Sequence, residues 1–219
     1  MASPRDAAAT RRPANIPAQK RERAIEIHPL TRDRWRDLNA LFSRDRTTSG
    51  CWCMWFRTSE PEFRANYGAG NRVALKRIVD AEPAPGVLAY VDGQPAGWCA
   101  VAPREQYPRV LRSRATKPID EAPAWAITCL FVDANARGLG VARRLIGAAV
   151  AYARANGARL IEGYPVDTTE RRVTDDAAYH GTLALFQAAG FREVARRTPA
   201  RPIVRLEVRA PRDVARRPR

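Results

Sequence analysis

The chain has 219 residues, 45% of them apolar, which suits one well-buried domain. No run approaches the roughly eighteen apolar residues of a membrane span and the N-terminus lacks an apolar signal core, so neither spanning nor secretion is expected, and a cytoplasmic location is. The net charge of +15 sits partly in the two ends, residues 1–24 and 210–219, and no aromatic-interleaved basic stripe accompanies it, which argues against a specific nucleic-acid binder.

Residues 1–23 are rich in Ala, Arg and Pro without periodicity and read as a disordered basic tail, as do residues 210–219, leaving 24–209 as the folded domain. Ala24–His28 alternates like a strand, and Thr31 then caps a helix with Trp35, Leu38, Leu41 and Phe42 on one face. Thr47–Arg57 is unusual in composition. Ser59 before Glu60, Pro61 and Glu62 marks another helix start, interrupted at Tyr67–Gly70 and resumed over Arg72–Ala81. Gly86–Asp92 and Pro95–Ala102 read as a hairpin around Asp92-Gly93, and Arg104–Pro118 as a basic loop over the site. The strand Ile127–Val132 leads through a glycine turn into a helix over about 138–156, with Val141, Leu145, Ala149 and Ala153 facing the sheet and Asn156-Gly157 as its stop. A strand at Leu160–Tyr164, a charged stretch over Asp167–Asp176, a late helix over about 178–189 and closing strands at 191–197 and 203–209 complete the chain. The crossover helix makes the fourth and fifth strands a parallel pair in an otherwise largely antiparallel sheet, so the expected class is a single mixed α/β domain.

The turn Arg137-Gly138-Leu139-Gly140-Val141-Ala142 carries the first functional signal. Glycines let backbone N–H groups approach an anion closely, and the helix that follows offers unpaired donors and a positive dipole end, which suits a pyrophosphate. A dinucleotide fingerprint would need a third glycine where Arg143 stands, although Glu162 occupies the acidic position some twenty residues on. The other pattern, Arg/Gln-x-x-Gly-x-Gly/Ala, is met by Arg137, Gly140 and Ala142. Together with the Gly86–Val101 hairpin and the late Leu185-Phe186-Gln187-Ala188-Ala189-Gly190-Phe191 segment, it resembles the GNAT superfamily of acetyl-CoA-dependent N-acetyltransferases over about residues 25–208. The resemblance implies that the fourth and fifth strands splay and that Leu130, Phe131 and Val132 pair with pantetheine. It further implies that Arg137, Gly138, Leu139, Gly140, Val141 and Ala142 bind the pyrophosphate of acetyl-CoA. The implied reaction is acetyl transfer to a primary amine by direct attack in a ternary complex. A non-catalytic acyl-CoA-sensing module is the alternative.

Two positions depart from the family pattern. Thr128 stands where many members carry a glutamate, and Phe186 where many carry a tyrosine acid. The proton-handling role is therefore vacant or moved; the replacement candidates are Tyr164 and Glu162, which share a face of the fifth strand, with Tyr179, His180 and Asp167 behind them. His28 reads as structural. The requirement is severe, because keeping an amine of pKa about 10.4 neutral at pH 7 costs about 4.6 kcal/mol, against about 1.1 kcal/mol for one near 7.8.

Cys51-Trp52-Cys53-Met54-Trp55-Phe56 lies where the family builds the acceptor side of its pocket, so Trp52, Cys53, Trp55 and Tyr179 are the candidate acceptor-binding residues. The thiols of Cys51, Cys53, Cys99 and Cys129 lack the close pairs of a structural zinc site and read as reduced, buried thiols with no metal. The acceptor is a small-molecule or peptide amine, and a homodimer is left open.

Overall fold

The computed structural model describes residues 23–169 and 179–209. The expected tails, apart from Arg23, and the charged stretch beyond Thr169 lie outside the described residues. Seven strands form one sheet in the order β1-β2-β3-β4-β5-β7-β6. They are β1 (Ile25–Pro29), β2 (Gly86–Val91), β3 (Gln94–Pro103), β4 (Trp125–Val132), β5 (Leu160–Gly163), β6 (Arg192–Thr198) and β7 (Arg201–Glu207). All neighbours are antiparallel except β4 and β5, the parallel pair expected from the crossover.

The crossover helix α6 (Val141–Ala155) buries Val141, Leu145, Ile146, Ala149 and Ala153 on one face of the sheet, against Cys99, Val101 and Ile127. Full burial of a side chain such as Leu145 stabilises by roughly 1.5–3 kcal/mol. The opposite face takes Leu88, Trp98, Ala100 and Phe131, as strand alternation requires, and is covered by helical segments. These are α1 (Trp35–Phe42), α2 (Arg46–Cys51), α3 (Glu60–Ala65) and α4 (Ala69–Ala81). The apolar face of α1 is the one its sequence spacing predicts, although Thr31 stands before a 3-10 turn at Arg32–Arg34 and not before α1, and its side chain makes no capping bond there. Ser59 caps α3 by accepting from the Glu62 N–H (3.4 Å). Asp45 caps α2 by accepting from the N–H groups of Thr47 (3.0 Å) and Thr48 (2.9 Å), inside a segment that gave no helical signal.

Two expected elements differ. The stretch read as a basic loop contains α5 (Pro108–Arg112), and its first residue, Arg104, is buried. The late helix, α7 (Leu183–Ala188), begins five residues later than its sequence suggests, capped by Thr182. Tyr179–Gly181 instead lies along the free edge of β4, where the Leu130 N–H donates to the Tyr179 carbonyl (2.6 Å). A long-range partner has overridden the local helical pattern.

The parallel pairing of β4 with β5 runs only from Trp125↔Ile161 to Ile127↔Gly163, while β4 continues to Val132. The strands part there. The Phe186 ring, fully buried, fills the gap: a Cβ on Gly163 would overlap it, and one on Gly181 would lie 3.0 Å from it and 3.3 Å from Leu130.

Candidate active site

Beyond the point where β4 and β5 separate, a groove of about 320 Å³ runs along β4 to the start of α6, lined by Leu130, Val132, Arg137, Ala142, Thr182 and Leu185 among others. At its end Gly138 and Gly140 have φ of +78° and +81°, and a Cβ at either would meet nothing within 4 Å. The turn thus presents bare backbone to open space. Arg144 is the first residue to bond back into the helix, to the Gly140 carbonyl (3.2 Å), and Gly140 offers no side-chain cap. The N–H groups of Val141, Ala142 and Arg143 are left without helical partners, and Arg137 is exposed beside them. This cradle fits a pyrophosphate. The side chains of Phe131 and Val141 are buried in the core and Leu139 packs against it, so these three contribute through their backbone. The Leu130 N–H is already engaged by Tyr179; the Val132 N–H, two residues on, points the same way and is the β4 donor available to an arm lying in the groove.

On the other side of Tyr179 lies a second cavity of about 390 Å³, whose wall includes Cys51, Cys53, Trp55, Phe56, Phe63 and Tyr67. Thr128, Cys129, Tyr179 and His180 form its boundary with β4. Tyr179 borders both spaces. Its ring packs on Phe131 (centroids 5.8 Å apart) and its hydroxyl donates to the Asp45 carboxylate (3.3 Å), which fixes the partition between them. Cys53, Trp55 and Tyr179, three of the expected acceptor-binding residues, line this second cavity. Trp52 does not. Its left-handed φ of 47° turns it under α1, where it packs on Trp35 and Phe42 and donates to the Ser49 carbonyl (2.6 Å).

His180 stands in a turn, not in the first turn of a helix. Its Nδ1 lies 3.0 Å from the Thr128 carbonyl oxygen, which only accepts, so Nδ1 carries the ring proton and Nε2 keeps a free lone pair. Burial, reinforced by Arg201, pushes its pKa down to about 4. The side chain of Thr128, at the position of the missing glutamate, shares a hydrogen bond with Tyr107, whose hydroxyl also accepts from Arg57 (3.2 Å). A neutral and cationic network replaces a carboxylate.

Glu162 and Tyr164 come together as strand alternation predicts, the Tyr164 hydroxyl donating to Glu162 (2.8 Å). They do so inside a buried ion cluster. Glu162, 1% exposed, also accepts from Arg104 (3.1 Å) and Arg205 (2.8 Å), and Arg205 reaches on to Asp120 (2.6 Å). Burial beside this carboxylate holds the Tyr164 hydroxyl well above its ordinary range. Neither side chain lines the groove or the acceptor cavity. Asp167 pairs with Arg196 (2.8 Å) and His28 with Glu26 (3.4 Å), both away from the cavity wall. None of the four cysteines is in a disulfide; burial pushes Cys51 up to about 12 and Cys99 upward, and a hydrogen bond with Cys53 together with burial raises Cys129, so Cys51, Cys99 and Cys129 stay protonated near pH 7. Among the described residues no group of three or more His, Cys, Asp or Glu is placed to hold a metal ion, and no helix is long and apolar enough to cross a membrane.

Several wall residues escaped the sequence reading. Phe63 and Tyr67 are spaced i, i+4 at the α3 start that Ser59 announces, which was the available signal; Tyr107 and Arg57, which stand behind Thr128 and not in the wall, carried none.

Comparison with known proteins supplies the remaining step. The acetyltransferase (GNAT) family profile matches residues 35–175. No curated protein sequence matches. Among solved structures, an apo agmatine N-acetyltransferase mutant is 14% identical with a TM-score of 0.52, over 84% of this chain and 99% of that one. An aminoglycoside N-acetyltransferase in complex with CoA is 18% identical with a TM-score of 0.51, over 81% and 93%. An N-acetyltransferase from Staphylococcus aureus Mu50 is 15% identical with a TM-score of 0.52, over 84% and 98%. At such identities these likenesses establish a common fold and nothing about substrate. With the family match over most of the domain, the glycine turn and the parted strands, the chain belongs to the GNAT family of acyltransferases, which draw their acetyl group from acetyl-CoA.

Proposed function

We propose that this protein acetylates a primary amine on a small, largely apolar acceptor by direct attack in a ternary complex. The observation that carries the reading is the adjacency of two spaces: the groove along β4, ending at the anion cradle, and the aromatic-walled cavity border each other at Tyr179. Acetyl-CoA, when bound, supplies a thioester acetyl group and departs as the CoA thiol. The backbone from Arg137 to Ala142 holds its pyrophosphate, and the Val132 N–H orients its arm.

On the acceptor side, Trp55, Phe56, Phe63 and Tyr67 exclude water and align the amine nitrogen with the carbonyl carbon. As the N–C bond forms and the C–S bond breaks, the nitrogen gives up one proton. His180 Nε2 accepts it, and the departing sulfur takes one in turn, so the protein ends unchanged. A base with a pKa of about 4 cannot strip a proton from an ammonium ion, so the amine must arrive neutral. The thiols of Cys51 and Cys129, protonated near pH 7, are poor nucleophiles for an acyl-enzyme route.

The test is CoA release from acetyl-CoA over an amine panel spanning low and high pKa. Rates that rise with pH along each acceptor's own ionisation, with low-pKa amines preferred at pH 7, are the expected result. Tight acetyl-CoA binding with no release for any amine would overturn it in favour of a non-catalytic acyl-CoA sensor.

A further inference from the structure

Next to the acceptor cavity is an open annex of about 410 Å³ that shares Trp55 and Phe56 with it and is lined further by Thr58, Glu60, Arg109 and Arg112. Arg109 lies on α5 with its side chain 16% exposed, its guanidinium carbon 3.7 Å from the centre of the Trp55 ring. Its Nε donates to the Thr58 carbonyl (3.4 Å), and its Nη1 is 3.9 Å from Glu60. Its Nη2 is buried and has no hydrogen-bond partner among the described residues. Buried donors in native structures are paired, and a charged one left unpaired marks a missing acceptor.

The surrounding charges say what kind of acceptor is missing. The Glu60 carboxylate is held by Arg64 (2.6 Å), and Asp45, the acid behind Tyr179, is committed to its helix cap. Arg57, held on Tyr107, and the exposed Arg112 add positive charge on the same side. A guanidinium stacked flat on an indole keeps the plane of its fork fixed, the arrangement that suits a planar oxyanion. Among the described residues neither space offers a free carboxylate to a second ammonium.

We infer that the acceptor carries a carboxylate at the end remote from its amine, and that Arg109 in the annex recognises it. The amine end then faces His180 and Thr128, an aromatic or alkyl body crosses the Trp55–Phe56 threshold, and the carboxylate meets the Arg109 guanidinium. This inference rests on the transferase reading for the position of the amine, and it is tested apart from turnover.

The experiment compares binding of 4-(aminomethyl)benzoate and benzylamine, which differ by one carboxylate, by calorimetry with the CoA-loaded protein. The carboxylated amine should bind at least about tenfold tighter, with the advantage shrinking as salt is raised. Arg109→Gln should bring the ratio of the two affinities to within about threefold, and Arg109→Lys, which keeps charge without the fork, should leave an intermediate ratio. 4-(Aminomethyl)benzenesulfonate, whose oxygens are not coplanar, should gain less than the carboxylate. Equal affinities of the wild type for the two amines, or an unchanged ratio in both variants with unfolding temperatures near wild type, would overturn the inference. CoA release with benzylamine judges the transferase reading separately.

Discussion

Replacing Glu162 by glutamine separates a structural from a catalytic role for the buried carboxylate. Three groups converge on it: Arg104, whose side chain is 5% exposed, Arg205 and the Tyr164 hydroxyl. Arg205 keeps Asp120 as a partner, but Arg104 would be left with the Ala122 carbonyl (2.7 Å), and its Nε already lacks an acceptor. Glutamine preserves shape and one acceptor oxygen while removing the charge. Breaking a buried ion pair from one side costs about 3–5 kcal/mol, and a domain of this size loses about 2–4 °C of Tm per kcal/mol. The expected fall is about 6–20 °C by calorimetry, with kcat at 25 °C within about threefold of wild type. The double change Glu162→Leu with Arg104→Met should recover most of the lost stability. A Tm within about 2 °C of wild type, or a kcat loss of tenfold or more in a fully folded variant, would refute the structural assignment and return Glu162 to the chemistry.

Acidification should act through His180: above about pH 6.5 it is neutral in both states, but between about 6.5 and 4 the unfolded chain takes up a proton that the folded site refuses. Stability should therefore fall through that window by up to about 3 kcal/mol, and His180→Asn should flatten this limb of the urea-denaturation profile. Gly140→Val, at φ +81°, should lower acetyl-CoA affinity at least about tenfold by calorimetry and cost about 1–2 kcal/mol of stability through left-handed strain. Phe186→Tyr should not raise kcat, because the ring is enclosed by Gly163, Gly181 and Phe191, and the added hydroxyl should destabilise by about 1–3 kcal/mol in thermal unfolding. Gly163→Ala should cost at least as much, because its Cβ would overlap the same ring.

What was legible in the sequence was local. The β4–turn–α6 unit declares itself through an apolar run, two glycines at positive φ and a helix with an apolar stripe, all within thirty residues. The α3 cap and the hairpin at Asp92-Gly93 are equally short-range. The proton-handling residues were harder, because their roles depend on partners distant in the chain. Glu162 is 58 residues from Arg104, and only its setting between Ile161 and Gly163 hinted at a buried charge needing a cation. Tyr179 and His180 read as helical until the free edge of β4 supplied a hydrogen-bond partner that outweighed the local preference. Trp52 and Cys53 adopt left-handed backbone without being glycine, so the directions of the neighbouring aromatics were not readable from spacing.

The Phe186 wedge also bears on how the groove can change. Solid packing sets its width, so the slot exists before anything enters, and an arriving arm need not force β4 and β5 apart. The ordering that accompanies binding is then mostly that of the arm itself. The same packing binds residues 163, 181 and 186 into one adaptive unit: two positions give up their side chains so that the third can be aromatic. A working hydroxyl at 186 would require the wedge to be re-spaced as a whole, because the glycines at 163 and 181 are set against this ring.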